Sequence, residues 1–153
     1  MELFIGTHYG KLDEKGRVSF PVNFRQAATD GAEQQFCMVA NVDVYDQCLV
    51  LMTKADFDQQ MTLTKQKLNL YDEEDQRVLR ELYRDTERLD GDNAGRIMLS
   101  KSLCELVNIN KDVVFVGWGN EIKLWAKEQY ETTRVDKQTK AALVQKRLGN
   151  AHN

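Results

Sequence analysis

Two arginines in this chain sit in the same short setting. Asp13-Glu14-Lys15-Gly16-Arg17-Val18-Ser19-Phe20-Pro21 returns as Asp92-Asn93-Ala94-Gly95-Arg96-Ile97-Met98-Leu99-Ser100, with an acid three residues before Gly, a β-branched residue after Arg and an apolar one two further on. Such a setting suits DNA recognition. A turn glycine reaches backbone angles closed to other residues and lets the chain approach a phosphate, while the residue after it leaves on a strand with its direction set. A guanidinium held there can make two hydrogen bonds to guanine O6 and N7 in the major groove, or clamp a phosphate. Gly16, Arg17, Gly95 and Arg96 are therefore the central candidates. Lys15 suits a phosphate, and Lys11, Arg25 and Lys101 are the nearby cations that extend the surface. Asp13 and Asp92 read as turn formers that accept from backbone N–H groups rather than as DNA contacts.

Other chemistries find less support. The two histidines, His8 and His152, and the three cysteines, Cys37, Cys48 and Cys104, include no CxxC pair and no ligand spacing, so neither a metal site nor a disulfide framework is expected. Buried structural thiols are the expectation. His8 is the one base available to a cysteine nucleophile, and nothing in the sequence ties the two together. Neither Gly-Arg turn carries GxxxxGK[ST]. No catalytic residue, cofactor or small-molecule substrate is expected. The net charge of −3 is unusual for a protein that binds phosphates, yet Lys11, Lys15, Arg17 and Arg25 outnumber Asp13 and Glu14, while Asp72 to Asp75 concentrate acid elsewhere.

The elements that must position these turns also repeat. Gly6 to Leu12 and Arg17 to Phe20 read as strands around the Asp13–Gly16 turn, a hairpin with Val18 and Phe20 on one face and Arg17 and Ser19 on the other. Pro21 opens a short helix with Phe24, Ala27 and Ala28 facing inward, and Ser100 caps its counterpart with Leu103, Cys104 and Val107 inward. Strand pairs follow at Phe36 to Val44 with Cys48 to Met52, and at Val113 to Trp118 with Ile122 to Trp125, turning near Asn120. Each half is a β-β-α-β-β unit too small to stand alone, so the two must pack on each other or interlock. Trp118 and Trp125 are assigned to the shared apolar interior. Between the halves, residues 55–89 read as two helices, the first facing inward through Phe57, Met61 and Leu68, the second opening on Asp72 to Asp75 with a Glu73/Arg77 ion pair. The tail carries Arg134, Lys137, Lys140, Lys146 and Arg147. With 153 residues, 42% of them apolar, and no stretch approaching a membrane span, the composition is that of a cytosolic globular protein.

LDEKGRVSFPVNFR near the start, DNAGRIML in the second half and the closing VFVGWGNEIKLW resemble the MraZ family from about Gly6 to Tyr130. The resemblance implies an α+β fold of two AbrB-like (SpoVT-AbrB) swapped-hairpin modules packed together. The first module would span 7–54 and the second 85–129, with a helical connection at 55–84 and a basic helical tail at 130–153. It further implies a ring-shaped homo-oligomer that binds double-stranded DNA, a transcriptional regulator of the cell-division and cell-wall gene cluster acting upstream of its own operon, cytoplasmic and associated with the nucleoid. The DNA-contacting loops would fall on Asp13 to Arg17 and Asp92 to Arg96. The second loop departs from the first at Asn93, Ala94 and Ser100, which leaves Lys15 without a counterpart. A different class of reading stays open, an AbrB-like, antitoxin-type subunit that grips a protein partner through its basic tail.

Overall fold

The computed structural model describes residues 3–29 and 35–149, so His152 lies outside it. The first half runs β1 (Thr7–Lys11), β2 (Arg17–Ser19), α1 (Val22–Thr29), β3 (Cys37–Val42) and β4 (Leu49–Thr53). The second repeats that order as β5 (Glu87–Asp90), β6 (Arg96–Met98), α4 (Lys101–Leu106), β7 (Asp112–Gly117) and β8 (Ile122–Ala126). Helices α2 (Lys54–Gln66) and α3 (Glu73–Tyr83) lie between them in sequence, and α5 (Lys127–Thr132) and α6 (Lys137–Leu148) follow. The fold is α+β.

Strand pairing departs from the hairpin expectation. β1 and β2 flank a closed turn, with Gly16 N–H donating to Asp13 O at 3.0 Å and Asp13 N–H to Arg17 O at 2.9 Å, but the two strands form no ladder with each other. β1 pairs with β7, placing Thr7 opposite Val116, and β2 pairs with β6, placing Val18 opposite Ile97. β5 in turn pairs with β3 of the first half. All pairings are antiparallel, giving a six-stranded sheet β1-β7-β8-β4-β3-β5 and a two-stranded ribbon β2-β6. The six-stranded order is the same read outward from the β8–β4 seam in either direction. Each half thus supplies the outer strand of the other, which is how two units of marginal size come to share one core.

Burial follows from that layout. β4 and β8, at the middle of the sheet, are buried along their whole length; β4 is apolar up to its last residue, Thr53, while β8 carries the buried Lys123 among its apolar residues. Phe20 anchors the centre, stacked on Phe36 at 4.8 Å and edge-on to Phe115 at 5.7 Å. Phe24 and Ala27 of α1 and Leu103 and Cys104 of α4 close over it, the latter helix capped by Ser100 Oγ accepting from Leu103 N–H. The ribbon contributes Val18 and Ile97 from its inner face.

Several expectations need correction. Trp125 is buried, but Trp118 is 56% exposed and lies over the Lys123 ammonium at 4.1 Å. Cys48 and Cys104 are buried, whereas Cys37 is half-buried at the β3–β5 pairing. On α2, Met61 is buried and Phe57 half-buried, while Leu68 falls beyond the helix end. α3 is capped by Asp72, which accepts from Glu74 and Asp75 N–H, but Glu73 and Arg77 do not close an ion pair; the pair formed near this helix is Arg84 with Glu81, 2.9 Å.

Candidate nucleic-acid interface

Both acid-to-arginine turns are built alike. Asp13 Oδ1 accepts from the N–H groups of Lys15 and Arg17, each at 2.9 Å, and its Oδ2 accepts from Arg17 Nε at 2.8 Å. Asp92 does the same, with Oδ1 accepting from Ala94 at 2.9 Å and Arg96 at 2.8 Å, and Oδ2 from Arg96 Nε at 2.9 Å. One carboxylate therefore closes the turn and grips the guanidinium it precedes, leaving the terminal nitrogens to other partners. Above all other groups, the N–H of Arg17 holds Asp13 below the ordinary carboxylate pKa, and the N–H of Arg96 does so for Asp92; partial desolvation opposes this without reversing it.

The two turns are also fastened to each other. Phe20 N–H donates to Gly95 O at 3.0 Å, and Leu99 N–H to Gly16 O at 2.9 Å, so each glycine carbonyl receives the strand that leaves the other turn. Both glycines have positive φ, +81° at Gly16 and +76° at Gly95. A Cβ at Gly16 would stand 2.8 Å from the Leu99 carbonyl oxygen, so this position excludes a side chain twice over. In the ribbon, Arg17 lies opposite Met98 and Ser19 opposite Arg96, and the strand alternation that buries Val18 and Ile97 turns these four outward. Ser19 and Met98 thus join the arginines on one face. That placement was readable in the Arg17/Ser19 alternation once the partner strand is known.

Bracing distinguishes the second turn from the first. The Arg25 guanidinium lies against Gly95, where a Cβ would approach it to 2.3 Å, and Gln35 Nε2 donates to Asn93 Oδ1 at 3.1 Å. Both come from the first half, and no local sequence signal announces them. Arg25 is therefore placed beside the second turn rather than its own. Lys15 is exposed at the first tip, and Lys101 is exposed as the first residue of α4. Lys11 ends β1 and sits 4.0 Å from Asp112 across the β1–β7 pairing.

Away from the ribbon, Asp43, Asp46 and Cys48 are the one group of donors among the described residues close enough to share a cation. Lys123 already supplies that charge, its Nζ 3.2 Å from Asp43 and 3.3 Å from Asp46. Burial disfavours the Lys123 ammonium, yet its bonds to the two carboxylates outweigh this and hold its pKa above that of ordinary lysine. Burial pushes the Cys48 thiol up to about 12, which makes it a poor thiolate ligand or nucleophile.

Taken together, the fold and the site define a tandem-repeat α+β protein that presents two interlocked, arginine-bearing turns on a shared ribbon. The chain belongs to the MraZ family. The family described as "MraZ protein, putative antitoxin-like" matches it twice, over residues 3–81 and 82–147. Proteins similar to it include "Transcriptional regulator MraZ" of Bacteroides fragilis, 34% identical over 128 residues, which cover 84% of this chain and 80% of that protein. The protein of the same name from Bacteroides thetaiotaomicron is 31% identical over 128 residues, covering 84% and 81% of the two chains. That of Legionella pneumophila (strain Paris) is 33% identical over 132 residues, covering 86% and 85%.

Proposed function

We propose that this protein is a transcriptional regulator that binds double-stranded DNA sequence-specifically through the β2–β6 ribbon, without catalysis. The observation that carries this reading is the paired geometry of Arg17 and Arg96, each held at its Nε by the carboxylate that closes its own turn. A long side chain fixed at its base loses less freedom on binding, and a two-stranded ribbon has the width that the major groove admits. The relatives named as transcriptional regulators support the same role. On this reading Arg17 and Arg96 read bases, Lys15 and Lys101 hold phosphates, Lys11 extends the cationic surface, and Arg25 positions the second turn.

The finer parts of the proposal follow from the family. The interleaved strands fit AbrB-like swapped modules, with boundaries at 7–54 and 85–129. Several copies arranged in a ring would present ribbons to successive DNA turns, raising avidity by a factor of about 10²–10⁴ where the geometry permits and offsetting the acidic total charge. The target is the DNA upstream of the protein's own operon in the cell-division and cell-wall gene cluster, which places the protein in the cytoplasm at the nucleoid. An electrophoretic shift of that DNA by the purified protein, absent with a shuffled duplex, is the expected result; equal retention of both would overturn sequence-specific binding. The antitoxin-like description of the family favours a second reading, an interaction subunit that needs a copurifying protein before it retains DNA.

A further inference from the structure

A groove of about 1190 Å³ lies between β3–β4, α2 and α3, away from the arginine ribbon. Its floor is apolar, made by Val50 and Met52 of β4, Phe57 and Met61 of α2, and Val78 of α3. The rim is acidic: Asp43, Glu73, Glu74, Glu81, Asp85 and Glu121 line it, against the basic Arg77, Arg84 and Lys123. Asp43 is paired with Lys123 and Glu81 with Arg84, and the acids of the rim outnumber its bases. Apolar side chains stand open around it, with Val78 42% and Val44 70% exposed. An apolar floor with an acid rim suits a cationic helix that carries exposed apolar side chains among its bases.

This chain carries such a helix. α6 contains Lys137, Lys140, Lys146 and Arg147 and no acid, and it buries no residue. Lys140, Leu143 and Arg147 recur at i, i+3 and i+7 and so share one side, with Val144 and Leu148 beside them. Leu143 and Leu148 remain 50% and 53% exposed. Both ends are defined, by Asp136 accepting from Thr139 N–H and by Gly149 at positive φ, so the helix is formed before it meets a partner. At about 1.5 Å per residue it is roughly 18 Å long. No residue of α6 lines the groove of its own chain.

We propose that α6 of one copy docks in the α2–α3 groove of the next copy. The contact joins two different surfaces, and a heterologous contact of this kind closes into a ring when its rotation permits. This inference rests on the homo-oligomer reading above and names the surfaces that would make it. It also assigns the basic tail to protein rather than to DNA, which leaves the ribbon as the surface for phosphate and bases.

The test uses the full-length chain. Lys140→Glu, Lys146→Glu and Arg147→Glu together reverse the helix, leaving one base against three acids; Glu74→Lys with Glu81→Lys reverses the groove, leaving five bases against four acids. By light scattering after size exclusion, with circular dichroism confirming each fold, either protein alone should associate at least about tenfold more weakly than wild type, and mixing the two should restore assembly, because each tail then meets an oppositely charged groove. Unchanged assembly of the reversed proteins, or no rescue on mixing, overturns the proposal. Carbodiimide cross-linking of wild-type protein, mixed from unlabelled and 15N-labelled halves, gives an answer that needs no variant. Links from α6 lysines to Glu74 or Glu81 should carry mixed labels; single-label links only, or none, overturn the proposal while leaving an oligomer intact. A wild-type chain that is monomeric at micromolar concentration removes the oligomer reading together with this one.

Discussion

Asp13→Asn separates the two jobs of the turn carboxylate. The amide oxygen can still accept from the N–H groups of Lys15 and Arg17, which preserves the turn, but the amide NH2 now faces Arg17 Nε, donor against donor, where Oδ2 accepted at 2.8 Å. The turn therefore survives and the arginine loses its anchor. Because Arg17 and Asp13 are about one-third exposed, the lost ion pair itself costs little stability. The larger effect falls on DNA binding, where an arginine no longer held must be ordered at about 0.5–1.5 kcal/mol, or roughly 2- to 13-fold in affinity for each loop engaged. Fluorescence anisotropy with operator DNA, beside a thermal melt of each protein, measures both quantities. Affinity equal to or tighter than wild type, with the melt unchanged, would refute the argument, because the carboxylate would then be competing with DNA for Arg17 rather than aiming it. Asp92→Asn should behave alike, since its distances match within 0.1 Å.

Arg17→Ala should cost about 1–3 kcal/mol per loop and relax preference at a guanine, Arg96→Ala should cost less, and Lys15→Ala should weaken all duplexes alike while lowering the salt slope by about one unit per contact; anisotropy across salt and operator variants separates them. Gly16→Ala should lose about 1–3 kcal/mol in urea unfolding, because φ is +81° and the Cβ meets a backbone carbonyl, whereas Gly95→Ala should lose less, since the obstacle is the movable end of Arg25. Lys123→Met should lose about 3 kcal/mol by the same assay, as Asp43, with its side chain only 9% exposed, is left without its cation. Acid titration should loosen both turns: Asp13 and Asp92 have folded pKa values below the unfolded ones, so their contribution is complete above the unfolded pKa and lost as pH falls through the folded value. Backbone amide shifts of Arg17 and Arg96, followed by NMR, should titrate below the ordinary carboxylate range, and transitions at or above that range would contradict the hydrogen-bond assignment.

Much of the local structure was legible in the sequence, although the Glu73/Arg77 pair expected on α3 does not close and Leu68 falls past the end of α2. The duplicated β-β-α-β-β order, the Ser100 cap, the acidic opening of α3 at Asp72 to Asp75, the inward faces of α1 and α4 and the two acid-to-glycine turns each follow from a period, a cap or a turn residue acting within a few positions. The pairing of Asp13 with Arg17 and of Asp92 with Arg96 is equally local but went unread, although four residues around a tight turn return the side chain to its start. Pairing partners were a different matter. Alternation tells which face of β2 is buried but not which strand lies beside it, because an unpaired edge accepts any strand of suitable register. Only the packed core chose β6 over β1, and that choice set the two arginine turns on one ribbon rather than on two separate hairpins. Arg25 reaching Gly95 and Gln35 reaching Asn93 depend on the same exchange, and so does the exposure of Trp118, whose apolar type suggested the interior before its place over Lys123 was known. Residue types within one turn of each other determined the chemistry of each loop; the shared burial of two units too small to fold apart decided how the loops stand together.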